Sequence, residues 1–96
     1  MSNRIEKVNG LIQEELGEIL LKEIDFPKNV LVTITRVETI VNLSDARIYI
    51  SAMPENQIDK VLEILNRRIY DIQQCLNRRL NMRPIPKIEF RKEGKI

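Results

Sequence analysis

The feature that most restricts the fold is an apolar run that keeps a helical rhythm for more than twenty positions. Ile58, Val61, Leu62, Leu65, Ile69, Ile72, Leu76 and Leu80 recur mostly three or four residues apart. That spacing lays one apolar stripe along a single long helix, or along two helices in continuous register, and the stripe has to be covered by another layer. Asn81–Pro86 ends the run, because proline cannot continue it. A second stripe precedes it: Ile5, Val8, Ile12, Leu16, Ile19 and Leu20 predict a helix from Arg4 to Glu23. Asn3 with Glu6 reads as a variant capping box, and Asp25-Phe26-Pro27 stops this helix. Gly10 and Gly17 fall on its polar side and read as tolerated there.

Between the two stripes the period changes from helix to strand. Val30, Val32 and Ile34 alternate with Leu31, Thr33 and Thr35, and Ala46, Ile48, Ile50 and Ala52 alternate with Arg47, Tyr49, Ser51 and Met53. Alternation of this kind buries one face of a strand. The two strands join through a turn around Asn42–Asp45. The pattern falters near Arg36–Glu38, where a bulge or strand end fits. Pro54-Glu55-Asn56 breaks the second strand and reads as the cap of the next helix. A last short strand, Pro86–Arg91, sets Ile88 and Phe90 against Lys87, Glu89 and Arg91.

The order is therefore α-β-β-α-β. An antiparallel hairpin and a third strand share one sheet, and the helices cover one face of it, which is a two-layer α+β sandwich. At 96 residues, residues 1–96 read as one domain with an aliphatic core, since Trp is absent and Tyr and Phe number two each. No apolar run approaches a membrane span, the mixed-charge start is unlike a secretory signal, and the single Cys75 cannot form an internal disulfide. These features place the chain in the cytoplasm.

Charge is distributed unevenly along the chain. Residues 1–66 carry 7 Lys/Arg and 11 Asp/Glu, residues 67–96 carry 9 and 3, and the net is +2. Such asymmetry suits contact with a polyanion at one end. On a helical wheel with Leu65 at zero, the apolar set falls within about 60° of it. Arg67 and Arg78 lie opposite, while Arg68 and Arg79 flank the stripe, and only Asp71 interrupts the surface. Either this face is merely solvated or it binds phosphate; the pairing of the arginines, each pair eleven residues apart, favours phosphate.

The open face of the sheet would add Arg47, Tyr49, Lys87 and Arg91, a weak signal, because one tyrosine is not a stacking array. Catalysis finds little support. There is no histidine for general-base work, no Cys–His pair, no set of thiols for a metal and no glycine-rich phosphate loop. Cys75 lies on the side of Arg68 and Arg79, and an inert half-buried thiol is the plainer reading. The carboxylates Glu14, Glu15 and Glu18 read as a solvated face. No cofactor and no small-molecule substrate are implied.

The order of elements, the hairpin "VTITRVETIVNLSDARIYISAM" and the closing "MRPIPKIEF" resemble the bacterial ribosome-binding factor A family. "NLSDARIYIS" stands at the second strand and "RPIPKIEF" at the third, and the resemblance runs from Arg4 to about Arg91. It implies a KH-like domain of the type II arrangement that assists maturation of the small ribosomal subunit. It also implies binding to free 30S particles and 16S rRNA, support for processing of its 5′ end, and importance in the cold, without catalysis. In that family an Ala-x-Gly kink replaces the GXXG loop and splits the long helix. The equivalent position here is Arg68-Ile69-Tyr70, with no glycine. Asn42 stands where an acid is usual.

The site that emerges is RNA-binding: Arg67, Arg68, Arg78, Arg79, Arg83 and Lys87, with Arg4 and Lys7 at the start of the first helix and Arg47 on the sheet. Binding would be salt-sensitive and made by a monomer, with the acidic first helix facing away from the RNA. A rival is a protein-interaction adaptor that binds an acidic partner through the basic helix face. General single-strand binding ranks third.

Overall fold

The computed structural model describes residues 4–94, so the capping box at Asn3 lies outside the described residues. The elements run α1 (Arg4–Glu23), β1 (Leu31–Thr39), β2 (Asp45–Met53), a 3-10 turn (Glu55–Gln57), α2 (Ile58–Arg67), α3 (Ile69–Arg79) and β3 (Lys87–Lys92). The strand order is β1-β2-β3, with β1 antiparallel and β3 parallel to β2. Parallel neighbours cannot be joined by a tight turn, so α2 and α3 form the crossover between β2 and β3.

The irregularity expected near Arg36 is a bulge. Ile34 pairs with Ile50 and Arg36 with Tyr49, which leaves Thr35 as the extra residue. One inserted residue exchanges the faces of a strand. Val32 and Ile34 turn toward the helices before the bulge, and Val37 does so after it. This allows β1 to pair along nine residues although its simple alternation fails halfway.

The core lies between the sheet and the helices. Ile12, Leu16 and Ile19 of α1, Ile48 and Ile50 of β2, Val61 and Leu65 of α2, and Leu76 of α3 have no exposed surface. Burying each such side chain is worth roughly 1.5–3 kcal/mol. No polar side chain is buried among the described residues.

The long apolar stripe is carried by two helices. The break is at Arg68, whose φ of −104° and ψ of 12° leave the helical region. Its N–H is shared between the carbonyls of Ile64 and Leu65, each at 3.2 Å. The bridge region it occupies is open to any residue, so the break needs no glycine. Its cause is tertiary: α2 packs on β2 and β3, whereas α3 packs chiefly on α1. The stripe stays in register because Leu65, Ile72 and Leu76 all enter the same core. The expected cap at Pro54–Asn56 is not found. A 3-10 turn leads into α2, and neither Pro54 nor Gln57 makes a side-chain capping bond.

Candidate nucleic-acid interface

The arginines of the crossover do not form one free face. Arg67 lies 3.6 Å from Glu63, and Arg68 lies 3.3 Å from Asp71. Arg79 places one guanidinium nitrogen 2.9 Å from both Glu15 and Glu18 of α1. These hydrogen bonds, Glu15 first and then Glu18, hold its pKa above the ordinary arginine value. Two expectations are corrected here. Asp71 is not the only interruption, because Glu63 precedes Arg67 by four residues, the favourable order for a helical ion pair. And α1 does not face wholly away, because two of its carboxylates neutralise Arg79. The first signal was readable in the sequence; the second depends on how α1 and α3 pack.

Among the described residues, Arg78 has no carboxylate within ion-pair distance. Its guanidinium approaches the Cys75 sulfur at 3.4 Å. Arg68, Cys75 and Arg78 line a groove shared with Ile19 and Glu23 of α1.

The open face of the sheet is not a basic platform. Register sets Arg47 between Glu38 and Glu89, and Lys87 beside Asp45. Arg36 lies 3.8 Å above the Tyr49 ring, and the tyrosine hydroxyl donates to Glu38 at 3.2 Å. One face of the only aromatic ring on this surface of the described sheet is therefore covered. Glu93, just past β3, accepts from the Thr35 hydroxyl and from Arg36 at 3.3 Å. The Thr35 bond chiefly, and Arg36 after it, hold the Glu93 carboxyl below its ordinary value. Alternating signs across neighbouring strands stabilise a sheet but leave little net potential for a polyanion.

Three cations without a carboxylate in ion-pair distance among the described residues, Lys7, Arg83 and Lys87, lie at one end of the molecule. The Gln13 side-chain amide donates to the Ile34 carbonyl at 3.1 Å, and the Asn9 side-chain oxygen accepts the Thr39 N–H at 3.0 Å. These two bonds run α1 antiparallel to β1. They bring Arg4 and Lys7 alongside the turn between β1 and β2. On the other side of that turn the Lys87 N–H donates to the Ser44 carbonyl at 3.0 Å, and the Ile88 N–H donates to Gln73 at 2.9 Å. The start of β3 is thereby held beside the same turn, and Arg83 lies four residues before it in the chain. Among the described residues, Lys7, Arg83 and Lys87 have no carboxylate within ion-pair distance; Arg83 donates to the Met82 carbonyl at 2.8 Å. Asp45, the register neighbour of Lys87, accepts from the Ser44 hydroxyl at 2.8 Å and is not within ion-pair distance of the lysine.

Among the described residues no cluster of His, Cys, Asp or Glu is placed to hold a metal ion, and no helix is long and apolar enough to cross a membrane. The three-stranded sheet, the helices on one face and the split crossover define a KH-like α+β domain. Its crossover has no GXXG loop, because no glycine occurs in it. The sequence profile of ribosome-binding factor A matches residues 4–96, and the chain belongs to that family, whose members bind ribosomes and are a non-catalytic kind of protein.

Relatives named ribosome-binding factor A include one from Chlamydia pneumoniae, 34% identical over 92 residues, covering 93% of this chain and 77% of the relative. One from Chlorobium chlorochromatii is 37% identical over 94 residues, covering 94% and 74%. Among solved structures, the Thermus thermophilus ribosome-binding factor A crystal structure superposes with a TM-score of 0.73 at 24% identity, covering 92% of this chain and 94% of that one. A Thermus thermophilus homology model fitted into a cryo-EM map of a complex of the 30S particle with ribosome-binding factor A gives 0.72 at 25% identity, covering 86% and 88%.

Proposed function

We propose that the chain is an assembly factor that binds the free 30S small subunit by way of its 16S rRNA, and that it supports late maturation and 5′-end processing of that RNA without catalysing a reaction. It acts as a monomer in the cytoplasm. Arg83 and Lys87 on one flank of the β1–β2 turn, and Arg4 and Lys7 on the other, take up phosphates. Arg78 extends the contact along α3, Arg67, Arg68 and Arg47 contribute less, and Arg79 serves the fold.

The observation that carries this reading is that Lys7, Arg83 and Lys87, with no carboxylate in ion-pair distance among the described residues, meet at one end, while the sheet face and most of the crossover carry internal pairs. Family membership supports the ribosomal partner, as does the likeness to a relative that was fitted into a 30S complex. Each phosphate neutralised contributes somewhat less than one unit to the slope of log affinity against log salt.

Co-sedimentation of the purified protein with free 30S subunits across a salt series tests it. About six phosphate contacts predict a loss of roughly three orders of magnitude in affinity between low and moderate salt. Arg83→Glu/Lys87→Glu, folded by circular dichroism, should weaken pelleting and make it less steep in salt. A complex that is indifferent to salt and survives nuclease digestion would overturn this reading in favour of a protein adaptor.

A further inference from the structure

The turn between β1 and β2 is built to hold an apolar tip outward. Val41 is 83% and Ile40 37% exposed, an unusual placement for two β-branched residues in a hairpin connection. The turn itself is tightly fixed. The Ile40 N–H donates to the Asp45 carbonyl at 2.9 Å and the Leu43 N–H to the Ile40 carbonyl at 2.7 Å. The Ser44 N–H donates to the Asn42 side chain at 3.1 Å.

Leu43 has a φ of 63°, a left-handed conformation that leucine seldom adopts, and its side chain is 5% exposed. The core anchors the turn through Leu43, and the anchored turn presents Ile40 and Val41. The fold does not need an apolar residue at position 41, since Val41 is 83% exposed.

What surrounds the tip identifies its partner. Lys7, with Arg4, stands on one side, and Lys87, tied to Ser44, stands with Arg83 on the other. An apolar point amid cations is complementary to RNA, in which unstacked base faces lie within reach of the phosphates. Apolar side chains wedged against bases are an established way of holding a nucleic acid.

We propose that Ile40 and Val41 form an apolar contact with an unstacked base or shallow groove of the RNA, while the flanking cations hold its phosphates. This rests on the rRNA reading above and adds a part that is independent of salt. A preformed tip loses little conformational freedom when it binds, which favours such a contact.

The test compares wild type, Val41→Ser, Ile40→Ser/Val41→Ser and Val41→Leu on two probes, free 30S subunits and protein-free 16S rRNA, at several salt concentrations. Val41→Ser is expected to weaken binding about tenfold on both probes, the worth of burying one valine. The slope against salt should stay unchanged, the double variant should lose more, and Val41→Leu should bind as wild type. Unchanged affinity in the serine variants overturns the tip contact alone. A loss on subunits but not on bare rRNA also overturns it and makes a ribosomal protein the occupant. A wild type without salt-dependent binding to either probe overturns the rRNA reading and this proposal together.

Discussion

Arg79 of α3 and Glu15 of α1, 64 residues apart in the chain, meet at 2.9 Å. Glu18 closes on the same guanidinium nitrogen at the same distance. The arginine head is thus spent on joining two helices. Arg79→Ala should lower the thermal midpoint yet leave the salt slope of 30S binding unchanged. A double-mutant cycle with Glu15→Gln should return a favourable coupling between the two residues. A loss of slope in Arg79→Ala equal to that of a phosphate contact would contradict this assignment.

Arg67 and Arg68 are partly neutralised, so they should matter less to RNA than their charge suggests. Arg83→Glu/Lys87→Glu is expected to reduce the salt slope by about two units, and Arg67→Glu/Arg68→Glu by less than one. Glu63→Gln, which releases Arg67 from its partner at 3.6 Å, should strengthen binding. A filter-binding titration at three salt concentrations separates these variants.

Glu93 makes stability depend on pH in a defined direction. Its folded carboxyl lies below the ordinary value of 4.5, because Thr35 and Arg36 favour the charged form. The stabilisation is fully present above 4.5 and is lost as pH falls through the lower folded value. Denaturant midpoints measured from pH 7 down to pH 3 should fall in that acid window. Glu93→Gln should already be weaker at pH 7 and should show a shallower acid decline.

Leu76 has no exposed surface, and it is where α3 enters the core. Leu76→Ala should cost about 2–5 kcal/mol, the range for truncating a buried leucine. Urea unfolding followed by circular dichroism should show a lower midpoint. Exposed Tyr70, two residues past the helix break, should tolerate alanine with little change in stability.

The break at Arg68 also separates what a sequence can carry from what it cannot. The apolar rhythm from Ile58 to Leu80 is indifferent to it, because both helices present their stripes to one core. The position of the break follows from the change of neighbour, sheet before it and α1 after it. No residue type marks that change when the backbone needs only the bridge region, where glycine has no advantage. The bulge at Thr35 was more legible, since an inserted residue disturbs a period of two and leaves a trace in the pattern.

By itself the sequence determined the two-layer α+β architecture, the order of elements and the family, because periodicity and motif spacing are local properties of the chain. It also determined that positive charge concentrates after residue 66. Which cations remain available was decided only by the tertiary structure. Ion pairing acts between residues that are distant in sequence and close in space, so Arg79 is neutralised across 64 residues while Arg83 and Lys87, among the described residues, are not. The same packing brings α1's first turns, the β1–β2 turn and the start of β3 to one end of the molecule. No spacing along the chain could have announced that meeting.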